Sequence, residues 1–206
     1  MQTSGQKSIL ITGASSGIGY DAALAMRAAG WRVFASCRKP DDCARLAGLG
    51  FDAPVLDYAS DASITEGVGE VLEATGGRLD AVFNNGAFAI PGAVEDLPRA
   101  ALREIFETNL FGVHELTRQV IPVMRAQGHG RIVNNSSVLG LVALRMRGAY
   151  VSSKFALEGL TDTLRLELRH QPIHVVLIEP GPIDTPFRIN ARPHFASEMP
   201  MISSPN

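Results

Sequence analysis

Cysteine, tryptophan, long apolar runs and any excess of one charge are all scarce in this chain. Cys37 and Cys43 are its only cysteines, with neither a CxxC spacing nor a histidine pair beside them. A structural zinc site takes about four ligands, and a secreted disulfide scaffold is denser in cysteine, so two free thiols and no metal are expected. No apolar stretch approaches the roughly 18 residues that a membrane helix requires. The opening segment MQTSGQKSILITGASSG breaks its short apolar run with glycines, unlike the core of a signal peptide. The 19 Lys+Arg against 21 Asp+Glu leave a net charge of −2, which does not suit a nucleic-acid binder with a basic face. A cytoplasmic protein with neither nucleic-acid nor membrane partners is therefore expected. With 46% hydrophobic and 19% charged residues the chain is not disordered, and 206 residues are ample for one core.

What is present is a rhythm of short β-branched runs alternating with helical patterns. Strands are predicted at 8–12, 31–36, 54–57, 79–84, 131–136 and 174–178, with helices at 17–29, 41–49, 63–75, 98–127 and 149–170. The 98–127 helix is predicted to bend near Pro122. Strands apolar on both faces and separated by helices imply parallel crossovers. The fold class is thus α/β, a Rossmann-type doubly wound parallel sheet with helices on both faces, a three-layer α/β/α arrangement. Residues 1–187 are expected to form this domain, and residues 188–206, rich in proline and serine, an irregular tail.

Glycine is plentiful, 20 of 206 residues against roughly 7% on average, and its clustering is informative. Thr12-Gly13-Ala14-Ser15-Ser16-Gly17-Ile18-Gly19 lies between the first strand and the first helix. Glycines there let backbone N–H groups approach a pyrophosphate at a helix N-terminus, where the dipole favours negative charge. Gly13, Ser15, Ser16, Gly17, Ile18 and Gly19 are the candidate phosphate-binding residues. The spacing is G-x-x-x-G-x-G rather than the commoner G-x-G-x-x-G, so the position between strand and helix carries the reading. Where an NAD site places a carboxylate at the end of the second strand, this chain has Arg38 and Lys39. A guanidinium binds a 2′-phosphate bidentately, which favours NADP(H) with NAD(H) possible; a solvated strand end is the alternative. Asp57 is a candidate for the adenine amino group, or else a turn or helix cap. Asn84 and Gly86 end the fourth strand at the same edge, as part structural and part cofactor contacts.

Tyr150 and Lys154 are four apart at the head of a helix and so share a face. A phenol is a poor proton donor near neutral pH until a nearby cation stabilises its phenolate, and an ammonium can do so. Ser136 and Ser137 lie upstream at a strand end.

Thr12-Gly13-xxx-Gly17-x-Gly19, Asp57, Asn84-Asn85-Gly86, Asn109, Ser137, Tyr150-xxx-Lys154 and Pro180-Gly181 occur in an order that resembles the short-chain dehydrogenases/reductases. The resemblance spans residues 7–187. It implies a nicotinamide oxidoreductase in which Tyr150 exchanges a proton with the carbonyl or hydroxyl oxygen and Ser137 holds that oxygen. Lys154 would bind the nicotinamide ribose and lower the Tyr150 pKa, while Asn109 would hold a water in a relay to Lys154. Pro180, Gly181 and Thr185 would support the nicotinamide end. Leu139, Leu141, Val142, Leu144, Met146 and Phe187 would line an apolar pocket for a small hydrophobic alcohol or carbonyl substrate. The resemblance also implies a homodimer or homotetramer through the helices at 98–127 and 149–170. Two departures stand out: Gly86-Ala87 inverts the commoner Ala-Gly order, and the chain ends before a substrate-covering segment and a seventh strand, as in a C-terminally truncated relative. A dinucleotide-binding protein with little or no turnover is the alternative function.

Overall fold

The computed structural model describes residues 5–187. Five parallel strands form one sheet: β1 (Ser8–Ile11), β2 (Arg32–Ala35), β3 (Ala81–Asn84), β4 (Gly130–Asn135) and β5 (Ile173–Ile178), in the order β2-β1-β3-β4-β5. The register pairs Ile9 with Val33 and Ala81, and Val82 with Ile132. The helices are α1 (Gly17–Ala28), α2 (Pro40–Gly48), α3 (Asp61–Thr75), α4 (Arg99–Phe106), α5 (Gly112–Gln127) and α6 (Gly148–Glu167).

Strand alternation divides the core into two layers. Leu10, Val82, Ile132 and Val175 face α3 and α5 residues such as Val71, Leu116 and Met124. Ile9, Ile11, Ala81 and Phe83 face α1 and α2, packing with Ala23 and Leu46. Successive side chains on a strand point to opposite faces, so the continuous run Ile9-Leu10-Ile11 serves both layers. Each fully buried aliphatic side chain stabilises the fold by about 1.5–3 kcal/mol relative to exposure. Cys37 and Cys43 are buried free thiols in the second layer, and burial pushes the Cys37 thiol up to about 12. Among the described residues, no group of three or more His, Cys, Asp or Glu could hold a metal, and no helix is long and apolar enough to cross a membrane.

Two predicted elements differ. The run 54–57 is not a strand of the sheet: it meets β2 and its extension only through isolated bridges at Asp52 and Val55. Asp52 accepts from Ala35 N–H and Leu56 donates to Cys37, but between those bonds lies Pro54, which has no N–H to continue the ladder. The single helix at 98–127 is three pieces, because residues 107–111 wind as a π turn between α4 and α5. Pro122 lies inside α5. The tail at 188–206 lies outside the described residues.

The two edges of the sheet differ in kind. At the edge where the strands begin, Asp80 accepts from Ser8 N–H at 2.8 Å and pairs with His129 at 2.7 Å, joining β1 to the segments entering β3 and β4. At the edge where they end, the loops open on a cleft.

Candidate active site

The glycine loop is built by close backbone approach. A Cβ at Gly13 would stand 2.7 Å from Gly86 Cα, and one at Gly19 would stand 2.5 Å from Asn85 Nδ2 and from the Gly13 carbonyl. Gly13 and Gly17 also have φ of 61° and 56°, where a side chain is strained. Ser16 is the N-cap of α1 but makes no side-chain cap, whereas Ser60 caps α3 by accepting from Ser63 N–H. An uncapped N-terminus beside a turn of glycines leaves backbone donors facing the cleft.

The end of β3 holds this loop in place. The Thr12 hydroxyl accepts from Asn85 and Gly86 N–H at 2.9 and 3.0 Å and lies 2.8 Å from the Tyr58 hydroxyl. Tyr58 donates to Asn84 Oδ1 at 2.7 Å, and Asn84 Nδ2 donates to Asn134 at 2.8 Å and Thr117 at 3.2 Å. Asn84, a candidate cofactor ligand by sequence, is thus fully engaged in a buried network under the site. Asn85 instead reaches the loop, donating to the Thr12 and Gly13 carbonyls at 3.0 and 3.2 Å and accepting from Asn135 at 2.9 Å. Tyr58 carries no motif signal in the sequence; burial raises its pKa, so it remains a neutral hydroxyl linking Thr12 to Asn84.

The reactive groups lie where β4 meets α6. Ser137 follows β4 and caps a short turn, its Oγ accepting from Leu139 N–H at 3.1 Å. Tyr150, one-tenth exposed or less, packs edge-on against Phe187, with ring centroids 5.6 Å apart. Burial raises the Tyr150 pKa, and the neighbouring Ser137 hydroxyl works against that rise. Lys154 Nζ lies 5.6 Å from the Tyr150 ring centroid and donates to the Asn135 carbonyl at 2.7 Å. Its pKa is lowered to about 8 by burial, opposed by Glu158 one turn further along α6. Asn109 is completely buried within the π turn. Its amide donates to Phe88 O at 2.9 Å and Ser153 Oγ at 3.1 Å and accepts from Phe88 N–H, with no direct bond to Lys154. The apolar spacing of the helix gives no hint of this, because a π turn rotates one residue off the expected face.

One cleft of about 570 Å³ joins these parts, lined by Gly13 and Ser15–Ile18, Asn85–Ala87, Ser137, Tyr150, Lys154, Pro180–Gly181 and Thr185–Phe187. Its wall runs from the glycine loop to the Ser137–Tyr150–Lys154 cluster, and it contains the buried, unpartnered Asn135 Oδ1. This donor and acceptor set fits a dinucleotide laid with its pyrophosphate on the loop and its reactive ring near Tyr150. Pro180 accepts from Val138 N–H at 3.1 Å, and Thr185 packs over Gly17, so the segment after β5 folds back across the cleft. Asp57 does not line it: its Oδ1 accepts from Ala59 N–H at 3.0 Å in a local turn. Arg38 is exposed beyond the end of β2. Of the apolar pocket residues expected, Leu139, Leu144 and Phe187 line the cleft, while Leu141, Val142 and Met146 are exposed outside it.

The sequence matches the short chain dehydrogenase family over residues 7–195. It is similar to the uncharacterized oxidoreductase YbbO of Escherichia coli, 47% identical over 185 residues, covering 90% of this chain and 69% of that protein. The fold is similar to a short chain dehydrogenase/reductase from Burkholderia phymatum in complex with NAD, with TM-score 0.85, 26% identity, and 98% and 74% of the two chains covered. It is equally similar to an actinorhodin polyketide ketoreductase variant with NADPH, with TM-score 0.85, 33% identity, and 96% and 78% covered. With the sheet order, the glycine loop and the Ser137–Tyr150–Lys154 cluster all in place, the chain belongs to the short chain dehydrogenases.

Proposed function

We propose that the protein is an NADP(H)-dependent oxidoreductase that interconverts a hydrophobic alcohol and its carbonyl. The single observation carrying this reading is that one continuous cleft joins the glycine loop to Ser137, Tyr150 and Lys154. Bound nicotinamide supplies the hydride; the chain supplies orientation and the proton.

In the reducing direction Tyr150 donates its hydroxyl proton to the substrate oxygen, and in the oxidising direction it accepts that proton. Ser137, beside Tyr150 in the cleft, holds the same oxygen and supports the phenolate. Lys154 as an ammonium offsets the phenolate charge that burial otherwise disfavours and donates to the cofactor's ribose. Asn109 holds a water in the relay that returns a proton to Lys154, and its amide fixes Phe88 and Ser153 so that α6 keeps its place. Gly13, Ser15, Ser16, Gly17, Ile18 and Gly19 receive the pyrophosphate, Gly86 gives it room, and Pro180, Gly181 and Thr185 support the nicotinamide end. Arg38 in place of a carboxylate supports NADP(H) over NAD(H). The rim favours an apolar substrate through Leu139, Leu144 and Phe187.

The test is Tyr150→Phe assayed by NADPH oxidation against a panel of hydrophobic aldehydes and ketones. Turnover is expected to fall about 10²–10⁴-fold, while NADPH affinity, read by cofactor fluorescence, changes less than about twofold. Undiminished turnover in the variant would remove Tyr150 from the chemistry. Wild-type cofactor binding with no turnover of any substrate would favour the binding-only alternative.

A further inference from the structure

Arg45 has no place in the sequence motifs, yet it reaches the glycine loop from α2. Its Nη2 donates to the Ser15 carbonyl at 2.6 Å, and its guanidinium lies 5.9 Å from the centre of the Tyr20 ring on α1. Ser15 lines the cleft. The guanidinium is therefore held from two sides at the outer mouth of the phosphate-binding turn. Asp42, the nearest carboxylate, is 3.8 Å away, too far for a good hydrogen bond, and the Arg45 side chain is about half exposed. A guanidinium carries five donors, and Ser15 takes one.

Arg38 and Lys39 lead directly into α2, Lys39 being its N-cap without a side-chain cap. The stretch from the end of β2, which meets the loop through Ala14 N–H and the Ser36 carbonyl, into α2 thus carries three cations, Arg38, Lys39 and Arg45, against two carboxylates, Asp41 and Asp42. A bare ribose hydroxyl needs no such excess; a dianionic phosphate does.

We infer that Arg45 is a second specificity residue for the cofactor's 2′-phosphate, fixed at the glycine loop by the Ser15 carbonyl and acting beside Arg38. This rests on the NADP(H) reading above. Arg45 has N–H groups left over for the phosphate, and Arg38, exposed at the end of β2, is the second guanidinium in reach of the same stretch. A rigidly held guanidinium loses less freedom on binding than an unanchored one, so Arg45 supplies discrimination that Arg38 alone would not.

The experiment is calorimetric titration of the full chain and its variants Arg45→Ala, Arg45→Lys and Arg38→Ala. The probes are adenosine 2′,5′-bisphosphate and adenosine 5′-monophosphate, which differ only in the 2′-phosphate. Arg45→Ala is expected to weaken the bisphosphate about tenfold and the monophosphate less than about twofold. Arg45→Lys, keeping the charge without the fork, is expected to fall between, and its deficit relative to wild type to grow as salt is raised and screens the point charge that remains. Equal weakening of both probes would show that Arg45 only braces the loop, overturning the inference. So would full retention of the bisphosphate preference in Arg45→Ala alongside its loss in Arg38→Ala, which leaves the NADP(H) reading standing. A wild-type chain with no preference for the bisphosphate would overturn that reading itself.

Discussion

An ammonium that is only 2% exposed has given up most of its hydration, and burial accordingly lowers the Lys154 pKa to about 8. The proposed chemistry needs the charged form. Tyr150 provides no charge, because burial raises its own pKa and keeps it neutral. The opposing influence is Glu158, one turn along α6, which raises the Lys154 pKa. One Glu158 carboxyl oxygen is buried without a hydrogen-bond partner, against Gly140 and the equally unpartnered Ser136 hydroxyl. A carboxylate left so poorly solvated is costly, and its attraction to Lys154 offsets part of that cost. Lys154 is an ammonium below its pKa; removing the Glu158 charge drops that pKa further, so the charged form is lost at lower pH. Glu158→Gln is expected to move the alkaline limb of the pH–kcat profile toward neutrality, by about half a unit or more. Profiles that superimpose on wild type would show that Glu158 does not set the charge of Lys154.

At the scale of elements, the π turn at 107–111 decides where the site's supports fall. It places Asn109 inward, against Phe88 and Ser153, and starts α5 at Gly112. Gly112 lies directly on the Tyr58 backbone: a Cβ there would overlap the Tyr58 carbonyl and approach its Cα within 2.7 Å. Since backbone cannot yield as a flexible side chain does, Gly112→Ala is expected to destabilise the fold by about 1–3 kcal/mol or more. It would also loosen the Thr12–Tyr58–Asn84 chain, so cofactor affinity should fall together with the thermal midpoint. Thermal unfolding checks this, and an unchanged midpoint would count against the contact. Nothing in the 98–127 periodicity announces the π turn, because a single turn of i→i+5 bonding leaves the helical pattern on either side intact. The glycine loop and the Tyr150–Lys154 spacing were legible because backbone geometry and helix pitch each demand particular residues at fixed intervals. Asn84 reads as part structural and part cofactor contact, because an amide at a strand end looks the same whether it faces a ligand or a buried network; here it serves the network alone. Tyr58, Asn135 and Arg45 were invisible for a related reason: each meets the site across a long sequence separation. The 54–57 run carries a strand pattern, but Pro54 and the short register leave it an isolated bridge beside β2 rather than a strand of the sheet.

Considered as a whole molecule, the chain buries β1 and β3 on both faces and yet leaves large apolar side chains on the helices flanking the site. Phe111, at the end of the π turn, is 50% exposed, and Phe155 and Leu166 on α6 are 44% and 67% exposed. Isolated exposed apolar residues need no explanation, but several on mutually packed helices form a surface suited to burial against a second copy. The same helices carry Tyr150, Lys154 and Asn109, so association there would stiffen the elements that position the reacting groups. We expect the chain to form homodimers or homotetramers through this face, since a symmetric interface uses one patch twice. Sedimentation equilibrium should then give a mass at least twice the 22.0 kDa of one chain. Phe155→Glu, combined with Phe111→Glu, should weaken that association at least about tenfold by placing unpaired carboxylates in an apolar contact, without changing the fold measured by circular dichroism. A wild-type chain that remains monomeric across the accessible concentrations would refute the assignment. If the double variant is monomeric and its cofactor affinity also falls, the interface contributes to the order of the site; if affinity is unchanged, each cleft is self-sufficient and the interface serves assembly alone.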